Sequence, residues 1–446
     1  MRKNTVSSIC TLTLFLLIGC KSQNQPLSLK NKVSFAIESR KIPVKSEQKV
    51  SLIYPDWLLK KGPHSTEIFR NLENYLPSIE IKKGNIATRI LPKNISTTLG
   101  EEILSSPFFK KQITLDDICK EKNVNGIIVL HKGEIVYQEY PDMEASDKHF
   151  LGSVSKSFVG TIIANLVDRG KLNEQDSIGK HLMEFKGSPL GKVSIENLLR
   201  MASGTNCREH EKNRVSFTNP EHCFYKLLEH TALFPEPKSG FKETLMELLV
   251  NERTYIEAGK IYDYTSANTL ILSTIAERVT SKPYHQLVSE IIWTKIGAEE
   301  DARITLSNTG IAGSYGTMMM TLKDLTRYGS AFMDSPISKI ASKRYLEEIR
   351  KGDKELFRSK DGTGQKLWLK LFKEQQPSHQ SYHWDVVFED GDFCKFGLGG
   401  QGLYISPERE LVITFFSANK DENIDNNIMM KLVRSLALLN EFTKGK

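Results

Sequence analysis

The sequence predicts an α+β fold: an antiparallel sheet flanked by helices, with an all-helical insert subdomain. Three observations predict it. Two β-rich runs, 126–131 and 134–140, are separated only by Lys132-Gly133, the length and type of a hairpin turn. A block of helix-patterned segments follows. Two more alternating runs, at 402–405 and 411–416, then precede a last helical stretch. The strand runs are too close in sequence for βαβ crossovers, so their pairing is expected to be antiparallel.

Each element has its own signal. Residues 50–54 read as a strand and residues 65–75 as a helix, though neither suggests a function. Residues 155–169 carry Phe158, Ile162, Ile163, Leu166 and Val167 at helical spacing, and Gly170 follows as a stop. Residues 194–201 form a short helical segment. Residues 266–279 form a longer one with Leu270, Ile271, Ile275 and Ala276 as its apolar stripe, and 322–333 another. The final strands turn at Ser406-Pro407-Glu408-Arg409, and 426–442 reads as a helix.

The chain has 446 residues, 39% hydrophobic and 26% charged, which is enough to bury a full core without a disulfide framework. Its formal charge of +7 comes from scattered pairs such as Lys60-Lys61, Lys82-Lys83 and Lys110-Lys111. With no basic run or basic helix, no nucleic acid partner is expected.

The first residues read as an export signal. Arg2 and Lys3 precede an apolar stretch of Leu12, Leu14, Phe15, Leu16, Leu17 and Ile18 that is too short to span a bilayer as a helix. It ends in Leu17-Ile18-Gly19-Cys20, which resembles a bacterial lipobox. That resemblance implies a signal peptide at 1–19 and lipidation at Cys20. It also implies a protein of the bacterial cell envelope, anchored to a membrane by lipid and facing the periplasm or exterior. Loss of Arg2 and Lys3 would lower the charge from +7 to +5. Residues 20–115 would be the tether and an N-terminal region of unassigned role, with the main domain at 116–446.

Cys119, Cys207, Cys223 and Cys394 remain in the body. An exported chain permits a Cys207–Cys223 bond, but four cysteines allow three pairings. Cys207-x-x-His210 with His222-Cys223 matches no common zinc spacing.

The chemistry begins at Ser153-Val154-Ser155-Lys156. Ser-x-x-Lys recurs at Ser46, Ser177, Ser239 and Ser417, but only Ser153 stands just ahead of a strongly apolar helix. A spacing of three puts Ser153 and Lys156 one turn apart on one face, at an end rich in unpaired N–H groups. A serine needs a base to become a nucleophile, and a lysine serves only if burial lowers its pKa. Read alone, the pair is equally a helix cap with a solvated lysine. Tyr264-Thr265-Ser266 offers a second acid/base and a hydrogen-bonding partner. Lys395-Phe396-Gly397 runs into Leu398-Gly399-Gly400-Gln401-Gly402, where glycines let a substrate backbone approach a strand edge.

The order Ser-x-x-Lys, Tyr-x-Ser, Lys-x-Gly resembles the penicillin-recognising serine hydrolases, the superfamily of class C β-lactamases, D-alanyl-D-alanine carboxypeptidases and related esterases. Residues 193–204, Tyr264-Thr265-Ser266-Ala267-Asn268, Tyr382-His383-Trp384 and the glycines of 397–402 resemble its 6-aminohexanoate-dimer hydrolase branch. The likeness covers about residues 124–440 and implies a β-lactamase/transpeptidase-like fold. It implies Ser153 as nucleophile, Lys156 as base and Tyr264 as proton relay, with the amides of Ser153 and Leu398 as oxyanion hole. Ser266, Lys395, Gly397, Gly399, Gly400 and Gln401 would bind substrate. No metal or organic cofactor is implied. The expected substrate is a small-molecule or peptide ester or amide. A D-alanyl carboxypeptidase, a β-lactamase and a non-catalytic binding lipoprotein are the alternatives. Ser266 departs from the Asn of many β-lactamases, and many members of the branch carry Ala at the Lys395 position.

Overall fold

The computed structural model describes residues 63–442, apart from 105–111, 121–123, 210–214, 232, 235–238, 241, 308, 334–339, 361–363, 374 and 419–427. The expected signal segment, Cys20 and the strand at 50–54 lie outside the described residues.

The strands in chain order are β1 (Ser78–Ile81), β2 (Ile103–Leu104), β3 (Ile113–Thr114), β4 (Val124–His131), β5 (Glu134–Glu139), β6 (His149–Phe150), β7 (Ala302–Thr305), β8 (Met318–Met320), β9 (His379–Ser381), β10 (Trp384–Val387), β11 (Phe393–Gly397), β12 (Gln401–Ser406) and β13 (Leu411–Ser417). The main sheet has the order β5-β4-β13-β12-β11-β10-β9, and its pairs are antiparallel. The hairpin expected at Lys132-Gly133 is present. Both residues have positive φ, +50° and +82°, as a two-residue turn matched to strand twist requires.

Both faces of this sheet are covered. Ile128, Leu130, Val412 and Phe416 join one apolar cluster, while Ile127, Val129, Ile413 and Phe415 join another. Neighbours along a strand point to opposite faces, so a sheet buried on both sides reads as an almost unbroken apolar run. The Leu322–Ser330 helix packs on β4, β12 and β13 from the first side. The Ile428–Ala437 helix covers β12 and β13 from the other.

The helical insert runs between β6 and β7. It includes Ile195–Leu199, Cys223–His230, Leu245–Asn251 and Ser266–Thr280. Its local signals are strong. Thr244 and Glu247 close a capping box at the start of Leu245–Asn251, which satisfies amides that the helix itself leaves unpaired.

Residues before 116 join the same body. β1 pairs with β7 in a second sheet of order β1-β7-β8-β6. The Pro63–Asn71 helix brings the Phe69 ring to 5.2 Å from Phe150. Among the described residues, no helix is long and apolar enough to cross a membrane, and no group of three or more His, Cys, Asp or Glu is placed to hold a metal.

Cys207 and Cys223 are joined as a disulfide, while Cys119 and Cys394 are buried and free. The bond selects one of the open cysteine pairings and removes the two thiolates a zinc site would use. It spans 16 residues. A loop of that length restricts the unfolded chain by about 3 kcal/mol. The Cys207→Ser/Cys223→Ser double variant is therefore expected to unfold at lower urea by roughly that free energy. A denaturation midpoint equal to wild type would show that the bond contributes nothing to stability.

Candidate active site

Ser153 sits in a tight 3₁₀ turn, Gly152–Val154, that runs directly into the Ser155–Asp168 helix. That helix is buried almost all round, with Phe158, Val159, Ile162 and Ile163 in the core. Its first turn therefore carries Lys156 inward. The Lys156 Nζ donates to Ser153 Oγ at 2.9 Å and to the Tyr315 carbonyl at 2.8 Å. The side chain is 1% exposed. Burial lowers its pKa to about 7; the nearby Lys395 pushes the same way, against Glu209 and Asp385. The other Ser-x-x-Lys serines differ. Lys180 is exposed and paired with Asp176 at 2.6 Å, and Ser239 donates to Glu229. Ser46 and Lys420 lie outside the described residues.

Tyr264 precedes the Ser266–Thr280 helix, whose N-cap Thr265 side chain accepts the Ala267 amide. The Tyr264 hydroxyl hydrogen-bonds to Ser153, and burial above all keeps its pKa well above that of a free tyrosine, so it stays protonated. The ring lies 4.9 Å from Lys156 Nζ and 4.8 Å from Lys395 Nζ. Ser266 lines the same cavity, and its hydroxyl is buried with no hydrogen-bond partner among the described residues.

Lys395 comes from the middle of β11 and donates to Tyr264 Oη at 3.1 Å. It also forms an ion pair with Asp385 of β10, and both side chains are almost wholly enclosed. The second Asp385 oxygen accepts the Phe396 amide at 2.9 Å. Burial moves the lysine pKa down and the aspartate pKa up, each partly offset by the other.

The Ser153 and Leu398 amides are brought together by two glycines. Gly152 has φ +53°, and a Cβ there would stand 2.6 Å from the Leu398 nitrogen. A Cβ at Gly397 would collide with the Leu151 carbonyl. Only at glycine can turn and strand approach this closely.

Three expected binding residues fall elsewhere. Gln401 is buried, and its amide donates to the Ser417 carbonyl at 2.6 Å and accepts the Ser417 amide at 3.1 Å. It ties β12 to β13 and has no polar atom to spare for a substrate. Gly399 and Gly400, with φ of +83° and +95°, make the turn between β11 and β12 and do not line the cavity. The Phe69 ring fills the space a Gly399 side chain would need. Tyr382-His383-Trp384 packs behind the site, where the Trp384 indole donates to Tyr345 at 3.2 Å.

The cavity above Ser153 encloses about 110 Å³. Phe217, Phe224, Leu228, Trp368 and Phe396 form its apolar walls, and Glu209 and Asp385 reach it. Glu209, Asp385 and Tyr315 carry no motif in the sequence. Asp385, set among apolar residues of β10, is the one with a visible signal: a charge on a strand buried on both faces needs a partner. Glu209 accepts the Ser266 amide, and Thr265 Oγ1 donates to the Cys207 carbonyl, so the disulfide segment is stitched to the Tyr264 loop.

The chain resembles known proteins along most of its length. A 6-aminohexanoate-dimer hydrolase of Paenarthrobacter ureafaciens is 24% identical over 387 residues, 84% of this chain and 93% of the relative. Protein flp of Staphylococcus aureus strain MW2 is 24% identical over 171 residues, 37% of this chain and 30% of that protein. A solved structure assigned to the 6-aminohexanoate-dimer hydrolases, from Bacillus anthracis, superposes with TM-score 0.74 at 20% identity, covering 88% of this chain and 99% of its own. A Bacillus halodurans penicillin-binding protein shares the fold at TM-score 0.52 and 14% identity, covering 72% of this chain and 99% of its own. The Beta-lactamase family model matches residues 120–437, and the chain belongs to that family, as a hydrolase related to 6-aminohexanoate-dimer hydrolase.

Proposed function

We propose that the chain is a serine hydrolase that opens a small ester or amide through an acyl-enzyme on Ser153. The observation that carries this is the dry Lys156 amine 2.9 Å from the Ser153 hydroxyl. As an uncharged amine, Lys156 takes the serine proton while Oγ bonds to the substrate carbonyl carbon. The carbonyl oxygen gains the electron pair and faces the amides of Ser153 and Leu398. Loss of one such donor typically costs about 3 kcal/mol in the barrier. Collapse expels the leaving group, which takes its proton from Tyr264, resupplied by Lys156. Water then attacks the acyl-enzyme, giving its proton back along the same path, and Ser153 leaves protonated. Lys395 holds the Tyr264 hydroxyl in position through its 3.1 Å hydrogen bond. The cavity of about 110 Å³ suits a short acyl group. The Paenarthrobacter relative, named for hydrolysis of a dimer of a small linear amino acid, supports a small linear substrate.

We also propose that the protein belongs to the bacterial cell envelope, held by a lipid on Cys20. The basic Arg2-Lys3, the short apolar stretch and Leu17-Ile18-Gly19-Cys20 support it.

Four outcomes check these steps. A fluorophosphonate probe adds one adduct to the wild-type protein, seen by intact mass, and none to Ser153→Ala; no adduct on folded wild type would sink the acyl-enzyme. For a neutral ester, kcat/KM climbs about tenfold per pH unit below 7 and levels above it, because the base works only after losing its proton. Acylation at near-wild-type rate in Lys156→Ala would reject the lysine as base. Finally, Cys20→Ala moves the protein from the membrane fraction to the soluble fraction of bacterial cells, and an unmoved protein would remove the lipid anchor.

A further inference from the structure

The cavity holds more ionisable groups than acyl transfer needs, and their sum is informative. Lys395 and Asp385 face each other in full burial. Their combined charge is zero wherever the shared proton sits. Tyr264 is neutral and protonated. Lys156 must shed its proton to act as a base. What remains is Glu209, 9% exposed on the cavity wall, with no ion-pair partner among the described residues. Its carboxylate accepts the Ser266 amide, and Ser266 Oγ beside it is buried and unpartnered among the described residues. The working cavity is therefore net negative.

Asp385 removes two features that would hold an anion. One is the Lys395 ammonium, which it neutralises. The other is the Phe396 N–H, which would otherwise face the open side of β11, because β10 pairs with β11 only at Cys394 and Phe393. A carboxylate brought into this space would meet no unmatched cation and one unmatched carboxylate. In a partly buried site, unlike and like charges at such range change affinity severalfold to a hundredfold.

We propose that Asp385 is a specificity-determining residue that makes the cavity reject substrates bearing a carboxylate near the scissile bond, leaving it to neutral or cationic acyl groups. This rests on the hydrolase function proposed above. It also separates the chain from hydrolases of carboxylate-bearing substrates, because Lys395 is present but already spent on Asp385. The vacant Ser266 hydroxyl and Glu209 suit an N–H donor on the acyl group, such as an amide or an ammonium.

The test uses two isosteric esters that differ only in charge: the 4-nitrophenyl ester of glutaramic acid and 4-nitrophenyl hydrogen glutarate, each corrected for spontaneous hydrolysis. Wild type is expected to favour the neutral ester in kcat/KM by roughly tenfold or more. In Asp385→Asn no protein carboxylate remains against Lys395, so a substrate carboxylate can take its place as the counter-ion, the preference narrows or inverts, and Asp385→Glu restores it. Glu209→Gln narrows the ratio independently, which covers the case in which Asp385→Asn fails to fold. Equal turnover of both esters by wild type, or a wild-type ratio unchanged in whichever of the two variants fold, would overturn the proposal while leaving the hydrolase function intact. Turnover of neither ester would overturn both.

Discussion

A lysine amine sealed from water has nowhere to disperse a charge, and the site is organised round that constraint. Lys156 is enclosed by an apolar helix, an aromatic ring and the Tyr315 loop, with a serine hydroxyl and a carbonyl as its hydrogen-bond partners. Neither partner is an anion, so nothing adjacent holds the ammonium form in place. Desolvation then outweighs the more distant Glu209 and Asp385 and brings the amine to a pKa of about 7. Had the Lys395–Asp385 pair been split, with the carboxylate beside Lys156, the same burial would have produced a permanent cation. The pairing of Asp385 with Lys395 and not with Lys156 is thus part of what sets the base.

The sheet supplies the rigidity that this placement needs. Lys395 and Asp385 sit on neighbouring strands whose other residues fill the two cores, so neither can relax toward solvent. Splitting this buried pair by removing one partner would leave a charge without compensation, which costs far more than the pair contributes while intact. That asymmetry explains how a net-neutral pair persists in a place where two apolar residues would pack as well.

Much of this was legible in the sequence, for physical reasons that differ by element. The hairpin at Lys132-Gly133 and the helix after Ser153 were readable because turn chemistry and apolar period are local signals. Ser153, Lys156 and Tyr264 could be singled out as candidates because each stands at or just ahead of a helix start, where local signals are strong. Gln401 was expected at the binding edge because it follows the glycines in sequence, whereas its side chain on β12 is bonded to Ser417 of β13. Glu209 and Asp385 were invisible because their meaning depends on what lies across a cavity or a strand pair. The Cys207–Cys223 bond was only a possibility in the sequence, because spacing alone does not bring the Cys223–His230 helix to the loop that carries Glu209 or leave Cys119 and Cys394 free.

The phenylalanine at 69 redraws the outline of the functional unit. Motifs begin only at Ser153, and the family model begins at 120. Yet the ring of Phe69 occupies the one space that a glycine at 399 leaves open, and it also backs Phe150 at the cavity wall. The two positions are therefore a complementary pair across more than 300 residues of chain, a knob and the notch cut for it. A shortened version starting where the family resemblance starts would keep every group proposed to touch the reacting atoms and lose the ring that packs on the β11–β12 turn. A version for expression or transplantation that keeps both halves of this contact opens at the Pro63–Asn71 helix.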